Sequence, residues 1–439
     1  MTSRGACPGI SQPMATGDGL LARLMPAAAI PLDALIALCE AGARHGNGII
    51  EVTQRGSLQV RGLSAESAPA FAQTALALRL GDDGGPPILA SPLMGLDPRE
   101  SADLRPLVDE LRAALPSRIA AASLGPKVSV LIDGGGTLHL DDVPGDLRLR
   151  AGPDSRLHLS IAGTAAAAMS LGWTKSHDAL EVMVRVLAGI AGRGTDARAR
   201  DFADDAGLCV LRASLANLLS DEAAPQPRPA AEPVGIQALR NGQAALGVAL
   251  AFGYSEAGAL KSFAEIAARC GATSIQPAPG RALLILGLMG AGLTECTAAA
   301  AAAGFVVRPD DPRRHVVACA GAPACGSAKL STRALAPAIA QAAAPLLDGS
   351  LIIHLSGCAK GCAHPGAAAL TLVGPDRLVV LGRAGDTPHG TAAAADFIGG
   401  LVRLQAQWRR PHAAGERSVD MLTRLGAARV LAVMRGEGA

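Results

Sequence analysis

The chain has 439 residues with 40 Lys or Arg against 38 Asp or Glu, a formal net charge of only +2, and 2% aromatic residues. So balanced a charge, with so few rings to stack on bases, excludes a nucleic-acid binder, and the length predicts several domains with separate cores. Mean hydropathy is positive, but alanine supplies much of it, and the most apolar window, 282–293, is 12 residues long, well short of the roughly 20 a membrane span needs.

Near the N-terminus, Arg23, Pro26, Pro31 and Asp33 interrupt the apolar stretch, so no signal peptide is expected and the cytoplasm is the expected location. Residues 32–63 then read as an amphipathic helix, a glycine, a strand, a turn and a strand. Helical patterns follow near 64–80 and 103–115, then the strand "KVSVLID" (127–133), which runs into Asp133-Gly134-Gly135-Gly136, and a helix near 175–192. That glycine run suits a tight turn needing positive φ or a close approach of backbone amides to a carboxylate. Residues 220–235, with four prolines and little periodicity, read as a linker.

Residues 257–288 repeat 32–63 without gaps, with ten of 32 positions identical. A shared order of helix, glycine, strand, turn and strand makes duplication the better explanation than chance likeness of two Ala-rich helices. Beyond this copy come an Ala-rich helix (291–303), a strand-like run into "HVVACAGAPACGSAK", a helix at 328–345, the strand "SLIIHL" and the loop "SGCAKGCAHP" (356–365). Strands alternating with helices place the fold in the α/β (α+β) class, as two halves that each continue past the repeat into a different segment.

Nine cysteines, an odd number, argue for reduced thiols rather than a disulfide framework. Cys7, Cys39, Cys209, Cys270 and Cys296 lie singly. Cys319 and Cys325 form C-x5-C, Cys358 and Cys362 form C-x3-C, and both pairs follow apolar strand-like runs. Two loops at strand ends would bring four thiolates together. Zinc accepts four cysteines but favours shorter gaps; a cubane cluster tolerates wider spacing and profits from small residues that let amides reach its sulfides; unrelated cysteines are the third reading.

This pattern in the second half of a duplicated chain resembles the sulfite and nitrite reductase superfamily. Within it, "RGACPGISQPMATGDGLLARL" (4–24), "IDGGG" (132–136) and "SGCAKGCAHP" resemble the precorrin-3B synthases of aerobic cobalamin biosynthesis. The resemblance implies two ferredoxin-like half-domains related by a pseudo-twofold and two α/β lobes. It would place an N-terminal arm and first half-domain at 1–85, a first lobe at 86–219, the linker at 220–235, a second half-domain at 236–303 and a cluster-binding lobe at 304–439. It implies a [4Fe–4S] cluster on Cys319, Cys325, Cys358 and Cys362, and a further non-haem iron, for which His354 and His364 are the nearest candidates. The T-x-R-x-x-x-Q pattern stands as Thr53, Arg55 and Gln59, followed by Arg61, and with Lys127 these would hold a tetrapyrrole polycarboxylate, for which arginine is well suited. Gly280 and Leu284 replace Arg55 and Gln59 in the second copy, so a single active site is expected.

The implied reaction is an O2-dependent hydroxylation of the tetrapyrrole. The electron donor would be NADH, acting directly or through a reductase, since no G-x-G-x-x-G fingerprint is visible. The alternative is a siroheme sulfite or nitrite reductase, disfavoured because Ser129 stands where a second lysine of an anion cage would be expected. A non-catalytic electron carrier or zinc module would not need so large a duplicated chain.

Overall fold

The computed structural model describes residues 8–81, 85–119, 123–203, 205–408 and 415–437; Cys7 lies outside them. The first half runs β1 (Met14–Thr16), β2 (Gly19–Leu24), β3 (Ile30–Pro31), α1 (Leu32–His45), β4 (Ile49–Val52), β5 (Leu58–Leu63), α2 (Ala68–Ala77), β6 (Ile88–Ala90), α3 (Arg105–Arg118), β7 (Val130–Asp133), β8 (Gly145–Ala151), β9 (Leu157–Gly163), β10 (Met169–Thr174), α4 (Ala179–Ala191) and α5 (Asp205–Leu215). The second runs β11 (Gly235–Ala238), β12 (Ala244–Ala249), β13 (Tyr254–Glu256), α6 (Ala257–Arg269), β14 (Ser274–Ala278), β15 (Ala282–Leu288), α7 (Gly290–Ala302), β16 (Val316–Ala318), α8 (Thr332–Ala343), β17 (Ile353–Ser356), β18 (Ala368–Val373), β19 (Arg377–Gly382), β20 (Gly390–Thr391), α9 (Ala394–Trp408) and α10 (Ser418–Arg435).

The two orders are the same, so the expectation that each half continues into a different segment is corrected. The first lobe has the order β10-β9-β8-β7-β6 and the second β20-β19-β18-β17-β16. In each, the three strands that come first in sequence are parallel and the next two antiparallel. Sequence comparison missed this because the lobes share topology while their side chains have diverged.

Two further five-stranded sheets lie at the centre, β1-β2-β5-β4-β13 and β11-β12-β15-β14-β3. Each borrows its last strand from the other half: Ser255 pairs with Ile50, and Ile30 with Ile275. The exchange interlocks the halves. Helices α1 and α6 present Leu35, Leu38, Leu260 and Phe263 to one shared core, as their i, i+3 and i, i+4 spacings require, and Lys261 pairs with Glu40 across the helix pair at 2.7 Å. Helix α1 ends at Gly46, where a Cβ would stand 2.3 Å from the Arg61 carbonyl oxygen.

The 220–235 segment is laid along the first lobe. Arg150 donates to Gln226 O (2.9 Å), Trp173 Nε1 to Ala223 O (3.0 Å), and Arg228 joins Asp133 (2.5 Å) and Asp141 (2.7 Å). Prolines contribute no N–H, so lobe side chains bind the strap through its carbonyls. Asp133 also accepts from the amides of Gly135 and Leu140 (2.8 and 3.0 Å), and Gly135 has φ of 87°. No helix among the described residues is long and apolar enough to cross a membrane.

Candidate cluster site and facing cleft

Parallel pairing puts the ends of β16 and β17 side by side, with Ala318 opposite Leu355, so the loops that follow emerge together. Cys319 N donates to Leu355 O (3.1 Å), Gly357 N donates to Cys319 Sγ (3.1 Å), and Cys325 N closes its own loop on Gly321 O (2.7 Å). Ser356 Oγ donates to Cys358 O (2.7 Å). Thr332, at the start of α8, donates to Cys319 O (2.6 Å) and stands 3.8 Å from its Sγ. Cys362 is exposed at the edge of the set, but desolvation by its loops, then the charges of Cys358, Cys319 and Cys325, raise its thiol above the ordinary range.

These four sulfurs are grouped but not closed on a point. Among the described residues, the one set of three or more His, Cys, Asp or Glu donors lying mutually within 4.8 Å is Asp133, His139 and Asp141, whose carboxylates are held by Arg228. Tetrahedral zinc at 2.3 Å from each thiolate needs sulfurs about 3.8 Å apart. The four thiols are therefore not drawn together as a closed zinc site would hold them, and their neighbours Gly357, Ala359 and Gly361 are small.

The loop carrying Cys325 is braced from the first half. Gly17, in the β1–β2 turn, donates to Ala324 O (3.2 Å), and a Cβ there would lie 2.5 Å from Gly326 N and 2.6 Å from Pro323 O. Arg61 donates to the same Ala324 carbonyl (2.6 Å) and makes a two-point pair with Asp18 (3.0 and 2.8 Å). Arg61, expected to meet a ligand, thus spends its guanidinium on Asp18 and on the loop that carries Cys325. Gln59 is likewise engaged: it donates to Glu51 Oε2 (2.8 Å) and accepts from Arg23 Nε (3.0 Å). The cause is register. Arg23, Gln59, Glu51 and Tyr254 stand directly opposite one another across four strands, and Arg333 of α8 binds Glu51 (2.5 Å) and covers the Tyr254 ring (4.4 Å). Alternation had marked this strand face as polar without saying what it would touch.

Arg55, at the tip of the β4–β5 hairpin, donates to Ser129 Oγ (3.1 Å) and Pro144 O (2.8 Å). Arg55 therefore meets the segment leading into β7, which begins at Val130 and not at Lys127 as the apolar run suggests; Lys127 itself is exposed in a turn. His354 is fully buried with both ring nitrogens unpartnered, and its pKa is pushed down to about 4 by burial, then by His364 and Arg281. Its ring lies 5.6 Å from that of His364, which bonds Ala367 O at 3.1 Å. No third donor of the described residues closes on this pair within 4.8 Å, so the two histidines alone do not fit an iron site.

Beyond Cys362, residues Ala363, His364 and Pro365 form one wall of a cleft of about 800 Å³, which Gln54 and Arg281 line from the central hairpins, Phe252 from the turn between β12 and β13, and Arg313, Arg314 and His315 from the second lobe. Sequence reading passed over Gly17, Asp18, Glu51, Arg333 and Arg281. The "TGDG" turn was the available signal for the first two; the others become visible only through packing.

A duplicated chain with strand-exchanged central sheets and a four-cysteine group on one of two matching lobes defines a protein of the nitrite and sulfite reductase class. Residues 12–78 match the nitrite/sulfite reductase ferredoxin-like half domain, and the fold is that of the Mycobacterium tuberculosis NirA protein, with a TM-score of 0.75 at 20% identity over 94% of this chain and 84% of that one. Within that class, the chain belongs to the precorrin-3B synthase family, enzymes of cobalamin biosynthesis: it is 42% identical over 436 residues to a Sinorhizobium precorrin-3B synthase, covering 98% of this chain and 94% of the relative. A ferredoxin–nitrite reductase of Synechococcus elongatus is more distant, at 26% identity over 82% of this chain and 77% of that protein.

Proposed function

We propose that the chain is an O2-dependent monooxygenase that hydroxylates precorrin-3A at C20 as a ring A acetate closes to a γ-lactone. One oxygen atom enters the product and the other leaves as water, with two electrons from NADH, delivered directly or through a reductase. Cys319, Cys325, Cys358 and Cys362 would hold a [4Fe–4S] cluster, which when bound supplies electrons singly to chemistry that dioxygen performs slowly with closed-shell substrates. The observation that carries this reading is the cysteine group beside a cleft of about 800 Å³, within the range of small-molecule sites.

The chain's own residues have separable tasks in this reading. Gly357 N–H, bonded to Cys319 Sγ, and the Arg61 brace hold the thiolates in place; Arg55 and Lys127 offer positive charge at the first-lobe side for substrate carboxylates. The unpaired thiols suit a reducing compartment, and we place the protein in the cytoplasm. A siroheme reductase is the second reading. Ser129, which takes an Arg55 hydrogen bond, is neutral where that reading wants a lysine.

The test is anaerobic purification with iron, sulfide and visible spectroscopy, then precorrin-3A turnover under isotopically labelled dioxygen. About four iron and four sulfide, no Soret band, and one labelled oxygen in the product are expected. A Soret band with sulfite or nitrite reduction would replace this reading with the second, and zinc without iron would remove both.

A further inference from the structure

The two central hairpins meet tip to tip. Gly280 N donates to Gln54 O (3.0 Å), and a Cβ on Gly56 would lie 2.7 Å from the Ala278 carbonyl carbon. In gapless alignment Gly280 faces Arg55, which makes the second hairpin look stripped of its arginine, but Arg281 faces Gly56. Both hairpins therefore carry one arginine at the tip, displaced by one residue. The displacement reverses their direction: Arg55 reaches the first lobe at Ser129 and Pro144, whereas Arg281 reaches the second at Ala363 O (3.2 Å), the residue after Cys362.

Arg281 is built in at a conformational cost. Its φ is 61°, in the left-handed region that its counterpart occupies as glycine (Gly56, φ 82°), where a residue with a Cβ is strained. Its stem crosses Gly253, where a Cβ would stand 2.7 Å from Arg281 Cδ. What compensates this cost is not an ion pair. In the same cleft Arg313 is held by Asp311 (2.6 Å) and Arg314 by Glu232 (2.7 Å), but among the described residues no carboxylate lies within ion-pair distance of Arg281. Its surroundings are unfavourable to its charge, with burial first and the Arg333 cation second, against some relief from Glu51. Beside it His354 is fully buried with no hydrogen-bond partner.

A desolvated guanidinium with most donors unspent, aimed into a cleft, is an anion site without its anion. We propose that Arg281 anchors a carboxylate of the ligand in this cleft, beside the Cys362 loop. The inference rests on the tetrapyrrole reading above: a macrocycle with carboxylates around its rim presents one of them to a guanidinium at the cleft wall.

The probe is sirohydrochlorin, a metal-free tetrapyrrole polycarboxylate, titrated anaerobically by fluorescence into cluster-containing wild type, Arg281→Gln and Arg281→Lys, with iron content measured on each sample. The expected result is binding to wild type, a loss of tenfold or more in Arg281→Gln, partial recovery in Arg281→Lys, and unchanged iron. Equal affinity of wild type and Arg281→Gln overturns the anchor and leaves the tetrapyrrole reading standing. Iron lost in Arg281→Gln and retained in Arg281→Lys, with equal probe affinity per cluster, makes Arg281 a brace for the Ala363 loop and also overturns it. No binding to wild type overturns the tetrapyrrole reading itself.

Discussion

The outer faces of the two central sheets were built from one repeat and now do opposite things. On the first, Arg23, Gln59, Glu51 and Tyr254 form a cross-strand polar row that meets Arg333, and Arg61 reaches the cluster loop. On the second, Leu284 stands where Gln59 does and Leu286 where Arg61 does, and both join Leu93 and Leu138 of the first lobe in an apolar seam. The lobes differ in the same way. Ser91 N donates to Ile132 O (3.0 Å) as Cys319 N does to Leu355 O (3.1 Å), and Gly134 N approaches Ser91 Oγ (3.4 Å) as Gly357 N approaches Cys319 Sγ (3.1 Å). Asp97 follows Ser91 by six residues as Cys325 follows Cys319, and its carboxylate is used up on Thr137 N (2.5 Å). Backbone hydrogen bonds have conserved a scaffold at both places; the side chains decide that only one can hold soft metal chemistry.

Breaking that contrast at its strongest point, Cys358→Ser should abolish the iron–sulfur absorption and the iron content, whereas Ser91→Ala at the matching place in the first lobe should leave both intact. Next in size, Gly17→Val should drive its side chain into the Pro323–Gly326 backbone and lose most of the iron. Gly242, at the matching turn, has φ of 76° and no atom within 4 Å of a built Cβ, so Gly242→Asn should keep full iron and near-native stability, asparagine being tolerant of that region.

At the interfaces, Glu51→Gln leaves Arg333 short of its buried partner, and removes a second carboxylate 3.5 Å from Arg61, which keeps Asp18; it should destabilise by about 3 kcal/mol, with reduced iron because the Ala324 loop loosens. Leu284→Ala should cost about as much through its cavity but retain iron; thermal melts with parallel iron analysis separate the two. The smallest effect is on pH. Burial raises the Glu100 carboxyl of the first lobe to about 7 from 4.5, so the folded state binds its proton more tightly than the unfolded. Its contribution is fully present below about pH 4.5 and is lost as pH rises through 7. Glu100→Gln should flatten the decline in unfolding midpoint over that window; an unchanged slope would remove Glu100 as its source.

Much of this molecule was legible before its shape was known. Helix α1 followed from the spacing of Leu35, Leu38 and Gly46, the repeat announced a pseudo-twofold, and apolar runs ending at Cys319 and Cys358 foretold two loops at strand ends. These are local signals, set by side-chain periodicity and turn chemistry within a few residues. Strand exchange through β3 and β13 was not legible, because strands of two and three residues carry too little pattern and their pairing is decided by long-range register. Nor was the commitment of Gln59 and Arg61 to Glu51 and Asp18, or the turning of Arg281 toward Cys362. Alternation specifies which residues share a strand face, while the partner is chosen by register and packing: Asp18 stands 43 residues from Arg61, and Ala363 stands 82 from Arg281. Local pattern was enough for the elements, the duplication and the arrival of two cysteine pairs at strand ends; which charges are paired, and that Arg281 faces the cleft without a carboxylate among the described residues, came from packing, since ion pairing depends on distances that no local pattern records.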